Sequence, residues 1–269
     1  MRALLRGGLL TLALLPALAS TQGTNVMAGV GIDQKLGERV ATDAMFTDEN
    51  GRSVFLSEML GEKPTLLVPI FYDCKGTCLL VTEGLVKTLR DLGEFAPNKE
   101  FNIVTISIRP KETTEDAAAK KKTIFEQYGR SQARDGWHFL TGDMTNIRKV
   151  TDSVGFHFTY DEKKDLVRHP AAIFVLTKDG RVSQVLYGVE YPSQLVKRSV
   201  ETAAKDELGF VANPILLGCV MADPITGEYR LNTERAMKVG GALVLLTLGV
   251  SIFFMERRRK LHHGEGAQS

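Results

Sequence analysis

The chain has 269 residues, and its 34 lysines and arginines against 32 aspartates and glutamates give a net charge of +2, which leaves no basic excess for a nucleic-acid surface. With 43% hydrophobic and 25% charged residues it can bury one sizeable core plus appendages, but not two full domains. Three cysteines, an odd number, leave one over if two pair in an oxidising compartment.

Residues 1–19 carry Arg2 and Arg6, an apolar run over 9–15, and then Pro16-Ala17-Leu18-Ala19, with small residues where a signal peptidase cuts. They predict an export leader cleaved after Ala19; the rival, an uncleaved anchor, would be short for a membrane span. Residues 20–43, rich in Gly, Ala and Thr, predict a linker or an arm lying over the domain. From Ala44 the pattern changes. Met45-Phe46-Thr47 and Ser53-Val54-Phe55-Leu56 flank Asp48-Glu49-Asn50-Gly51, a hairpin with Asn-Gly at its turn. One helical turn follows over 57–61.

The apolar run 65–71 predicts a central strand covered on both faces. It leads into Tyr72-Asp73-Cys74-Lys75-Gly76-Thr77-Cys78 and then a helix marked by Leu79, Leu80, Leu85, Val86 and Leu89, closing near Gly93. Residues 101–108 alternate as a strand, and 114–128 form a helix with Ala117, Ile124, Phe125 and Tyr128 on or near one face. Lys120-Lys121-Lys122 in that helix reads as a solvated face. A short strand over 137–141, a short helix over 144–154, a hairpin of 171–176 and 181–187 around Lys178-Asp179-Gly180, and an amphipathic helix over 192–207 complete the series. This succession describes an α/β thioredoxin-like fold with an N-terminal β-hairpin extension.

At the other end, residues 239–255 hold no charge and Glu256-Arg257-Arg258-Arg259-Lys260 follows directly. Residues 238–256 therefore predict a C-terminal transmembrane helix, 209–237 a juxtamembrane segment, and 257–269 a cytoplasmic tail. Both ends together place the body outside the cytoplasm.

Cys74 and Cys78 stand one helical turn apart at a helix N-terminus, where aligned N–H groups favour thiolates. They can share a metal ion or be oxidised to a disulfide, and are the candidate redox-active thiols. Among the histidines, His262 and His263 lie in the tail, while His138 and His157 sit in strand-like segments and read as structural. His169 precedes the strand that begins at Ala171, and Pro170 biases it toward extended backbone. In a thioredoxin-type sheet that loop approaches the first helix, so a ligand role and a structural role both stand. Cys219, in an apolar stretch with Met221, reads as a buried inert thiol, an auxiliary ligand or an intermolecular disulfide partner.

The order of Tyr72-Asp73-Cys74 to Cys78, Val104-Thr105-Ile106-Ser107-Ile108, Trp137-His138-Phe139-Leu140-Thr141-Gly142, His169-Pro170-Ala171 and Lys178-Asp179-Gly180-Arg181 resembles the SCO/SenC family of cytochrome c oxidase assembly proteins. The likeness covers residues 44–208. It implies that Cys74, Cys78 and His169 bind copper, and that the protein is a membrane-anchored assembly factor, a metallochaperone, a thiol reductant or both, rather than an enzyme. Two thiolates and an imidazole suit Cu(I), or Cu(II) with a further oxygen or nitrogen donor. The same thiols can reduce a partner's disulfide. The implied partners are the copper-binding subunit of a haem-copper oxidase and a periplasmic copper donor or thioredoxin-like reductant. The implied place is the bacterial inner membrane, with the domain on the periplasmic side. Lys75 and Leu79 depart from the prolines of many members, and Arg109 from an acidic residue, which bears on tuning and partner choice. The alternative is a metal-independent thiol–disulfide oxidoreductase or peroxidase, although C-x-x-x-C is not the C-x-x-C usual for disulfide exchange. A purely structural disulfide is a further reading, and a zinc site would lack a fourth protein ligand.

Overall fold

A computed structural model of the chain describes residues 29–74, 76–209, 220–222, 229–231, 237–238, 240–241, 244–252 and 255. The leader over 1–19, Lys75, Cys219, the basic cluster at 256–260, His262 and His263 lie outside the described residues.

The elements are β1 (Gly31–Ile32), β2 (Met45–Thr47), β3 (Ser53–Phe55), β4 (Thr65–Ile70), α1 (Thr77–Leu92), β5 (Asn102–Ser107), α2 (Thr114–Tyr128), β6 (Trp137–Leu140), α3 (Met144–Ser153), β7 (Phe156–His157), β8 (Thr159–Asp161), β9 (Leu166–Arg168), β10 (Ala172–Leu176), β11 (Val182–Tyr187) and α4 (Ser193–Ala204), then β12 (Val220–Ala222) and β13 (Tyr229–Leu231). Five strands make the central sheet in the order β11–β10–β4–β5–β6. Strands β4, β5 and β6 are parallel, and β10 runs antiparallel to both β4 and β11. Every residue of β4 is buried, as the all-apolar run requires.

Alternation along β4 divides the interior in two. Leu66, Val68 and Ile70 pack with α1, α2 and α4, whereas Leu67 packs with α3 and the β2–β3 hairpin. The result is a thioredoxin-like α/β sandwich with the hairpin laid on one face. Its turn is set by Asp48, whose carboxylate accepts from the N–H groups of Asn50 and Arg52 at 2.8 and 2.9 Å. The arm from Gly29 onward also packs on the domain: β1 pairs with β7, and Val40 donates its N–H to Gly180 O at 2.9 Å.

Two expectations change, and one element was not foreseen. The C-terminal transmembrane helix is overturned: among the described residues no helix is long and apolar enough to cross a membrane. Lys121 is not solvated but 6% exposed, its amine 2.5 Å from Glu49 Oε1. The β8–β9 hairpin, which carries the chain to His169, was not expected at all, being short and polar.

Candidate metal centre

The strand β4 ends at Ile70 and the chain turns through residues 71–76 before α1 begins. Two anchors hold that turn. The Tyr72 hydroxyl donates to Leu140 O at 2.7 Å, burying the ring beside Phe139. The Glu112 carboxylate accepts the Tyr72 N–H at 2.7 and 2.8 Å, the Asp73 N–H at 2.9 Å and the Ser107 hydroxyl at 2.5 Å. Burial pushes the Glu112 carboxyl above its ordinary range, against the lowering effect of those donors. Helix α1 starts at Gly76 with no side-chain cap, so its first N–H groups remain for the sulfurs, and the Gly76 N–H lies 3.4 Å from Cys74 Sγ.

On this frame Cys78 is 0% exposed and Cys74 half-buried. From the far side β9 delivers His169, whose Nε2 stands 2.7 Å from Cys78 Sγ. The ring's Nδ1 lies 2.8 Å from Pro170 O. A carbonyl only accepts, so Nδ1 carries the hydrogen, and in the neutral ring the Nε2 lone pair faces the sulfur. Phe71 and Phe156 flank the imidazole at centroid distances of 6.0 and 6.1 Å. The backbone carbonyl that fixes the tautomer is the outer partner a metal-bound histidine needs.

The two sulfurs hold protons unequally. The hydrogen bond from Cys78 is the main influence on Cys74; burial opposes it, the Gly76 N–H assists, and the thiol falls to about 4. Burial keeps Cys78 protonated, well above the usual thiol range, and the Cys74 charge adds to this. Half-buried Lys120 acts in the opposite sense on Cys78, and burial lowers its own ammonium. Iodoacetamide should therefore alkylate Cys74 at an undiminished rate from neutrality down to about pH 5, losing speed only toward pH 4. An ordinary thiol, with pKa near 8.5, would slow roughly tenfold per pH unit over that range. The same sign holds for stability: the thiolate's contribution is complete above the unfolded value and drains as pH falls toward 4.

The donor set fits a soft ion, but in a hydrogen-bonded rather than a ligating arrangement. Imidazole and thiolate at zinc-like distances of roughly 2.0 and 2.3 Å from one ion stand about 3.3 Å or more apart. At 2.7 Å the Cys78–His169 pair must open to admit one. Among the described residues no three His, Cys, Asp or Glu side chains already surround a common ion position.

Thus the three sequence candidates Cys74, Cys78 and His169 meet, although His169 lies 91 positions from Cys78. His157 instead pairs with Asp33 at 2.9 Å, and His138 lies 3.6 Å from Glu49, away from the sulfurs. Glu112 and Lys120 were missed. Arg109, a departure from the family pattern, turns out to be bonded to Asp165 between β8 and β9.

Residues 33–204, more than half of the chain, match the SCO1/SenC family model. The chain belongs to the SCO1/SenC family. No curated protein sequence matches it. Among solved structures, a candidate electron transfer protein of Aquifex aeolicus VF5 is 28% identical, with a TM-score of 0.54 over 64% of this chain and 95% of that one. BsSco, described with a disulfide switch as a member of the Sco family of cytochrome c oxidase assembly proteins, is 22% identical, with a TM-score of 0.50 over 65% and 98%. The copper-bound ScoI of Bradyrhizobium japonicum is 24% identical, with a TM-score of 0.44 over 64% and 96%.

Proposed function

We propose that this SCO1/SenC protein is a copper-binding assembly factor for the copper site of a haem-copper cytochrome c oxidase, working outside the cytoplasm. Family membership and the predicted leader support this reading, and one observation carries it: the Nε2 lone pair of His169 is aimed at Cys78 Sγ from 2.7 Å, with Cys74 beside it. Copper is the cargo. Cys74 is ready as a thiolate, whereas Cys78 must give up its proton as the ion enters and His169 swings off the sulfur. Two sulfurs and one nitrogen satisfy Cu(I) at low coordination and leave a position through which a recipient's ligand can enter. The recipient is the oxidase's copper-binding subunit.

The full chain with reduced thiols should hold one Cu(I) in competition with a chelator, and His169→Ala should weaken it by more than roughly 100-fold, beyond the 10–100-fold typical of losing an outer partner. Copper binding that is unchanged in both His169→Ala and Cys78→Ala would overturn the assignment.

A second reading is favoured by the depressed Cys74. A thiolate beside a protonated, buried partner is the arrangement of an attacking and a resolving thiol, so the pair can also reduce a disulfide. Each such event leaves Cys74 and Cys78 oxidised to a disulfide and the partner's two thiols reduced. Turnover with a disulfide substrate and an external dithiol, by metal-free protein, would establish it.

A further inference from the structure

The cysteines and the histidine reach the site on separate segments, and one short loop touches both. Between β5 and α2, Ser107 is folded onto its own loop: its hydroxyl lies 3.1 Å from Arg109 N and 2.5 Å from Glu112 Oε2. From there Glu112 takes the N–H groups of Tyr72 and Asp73, the two residues ahead of Cys74. In the other direction the Arg109 guanidinium grips Asp165 with two nitrogens, one of them Nε at 3.2 Å from Oδ1. Asp165 sits at the turn of the β8–β9 hairpin with φ of 49°, and Tyr160 and Lys111 add a hydroxyl at 2.9 Å and an amine at 3.9 Å. Strand β9 then runs three residues into His169.

We propose that residues 107–112 are a positioning strap that sets the gap between the cysteine pair and His169, Glu112 holding the cysteine loop and Arg109 the hairpin that delivers the histidine. Neither residue touches the donor atoms. Both act through the segments they hold, and because they are three positions apart in one tight loop, movement of one segment is passed to the other. The gap matters because the 2.7 Å contact must widen to about 3.3 Å or more to admit an ion between nitrogen and sulfur. Glutamate is needed at 112 because both of its oxygens face donors; glutamine would turn an NH2 toward them. Arginine is needed at 109 for a two-nitrogen grip on a carboxylate.

This inference rests on the copper reading for its meaning, but its test separates the two. On the full chain, Glu112→Gln and Arg109→Met should each lower Cu(I) affinity by about 10–100-fold, the usual cost of an outer partner. Arg109→Lys, which keeps a positive charge facing Asp165 but cannot make the two-nitrogen grip, should recover only part of the loss. In metal-free protein Glu112→Gln should speed amide exchange at Tyr72 and Asp73 at least about tenfold and alter the Cys74 alkylation rate, whereas a merely structural role would move only the unfolding midpoint. If Glu112→Gln is too unstable to measure, the partly exposed Arg109 pair decides by the same readouts. Affinity and alkylation within about twofold of wild type in both variants would overturn the strap. A wild type that binds no Cu(I) would overturn the copper reading, while exchange and alkylation would still decide the strap.

Discussion

Glu49→Ala is expected to cost about 3–5 kcal/mol, the penalty of breaking a buried ion pair from one side. Glu49 is 7% exposed and its carboxylate is fully engaged, with Lys121 Nζ at 2.5 Å, the Phe139 N–H at 2.9 Å and His138 Nδ1 at 3.6 Å. Its loss strands a buried ammonium and, on the edge strand β6, a buried N–H. Against a total of about 5–15 kcal/mol this is a large fraction, read as a fall in the urea midpoint at unchanged slope. Removing both charges together, Glu49→Gln with Lys121→Met, should cost less than either single change, because no uncompensated ion remains. Acid should reveal the same pair. Burial alone would raise the Glu49 carboxyl; the nearby His138 ring and the hydrogen bonds from Lys121 and the Phe139 N–H outweigh it and hold it at about 2. A folded value below the unfolded one of about 4.3 means that the contribution is complete above pH 4.3 and drains as pH falls toward 2. Glu49→Gln should remove that part of the acid sensitivity. An unchanged slope of stability between pH 4.5 and 2.5 would refute the assignment.

How such a pair escapes a sequence reading is instructive. Glu49 sits among the turn formers of Asp48-Glu49-Asn50-Gly51, where Asp48 accepts the loop's N–H groups and Gly51 takes a φ of 82°. Its partner lies 72 positions on, inside three consecutive lysines. Composition calls all three solvated, but helical spacing does not: Lys121 falls four after Ala117, three before Ile124 and four before Phe125, on the stripe that is buried. That signal was present and was outvoted by charge. Elements carried by strong local patterns were legible: α2 starts at a Thr113–Asp116 capping box and stops at left-handed Gly129, and β4 reads from its apolar run alone. His169 was legible as a candidate through Pro170 and the strand behind it, but its contact with Cys78 exists only in three dimensions. Glu112 and the Arg109–Asp165 bond are single charges in polar loops, with partners up to 56 positions away and no periodicity to betray them. The C-terminal span failed for the opposite reason. Hydropathy there is a statement about composition, and among the described residues no helix is long and apolar enough to cross a membrane.

Gly84→Ala tests how the two halves of the site are pressed together. In a helix interior alanine is favoured over glycine by about 1 kcal/mol, so α1 taken alone would gain from the change. The surroundings reverse the sign, because a Cβ at residue 84 would collide with the Val189 carbonyl oxygen. This neighbour is backbone and cannot rotate away. The turn over 188–191 is pinned on α1 from the next helical turn, where the Thr88 hydroxyl donates to Tyr191 O at 2.5 Å, and the Tyr191 hydroxyl donates to Gly188 O at 2.5 Å. Gly188 in turn donates its N–H to Ala171 O at 2.9 Å, two residues beyond His169. Pushing the turn off α1 therefore pulls the histidine segment away from the helix that carries Cys78. Overpacking of this kind costs about 1–3 kcal/mol, and backbone against backbone puts it at the upper end, enough to outweigh the helical gain. The expected result is a melting temperature lower by several degrees, together with weaker Cu(I) binding. Gly31→Ala, whose Cβ would meet nothing within 4 Å, is the control. A Gly84→Ala chain as stable as wild type, with unchanged Cys74 alkylation, would show that α1 and the 188–191 turn are not in contact, and the route by which the fold holds His169 to Cys78 would have to run through the β8–β9 hairpin alone.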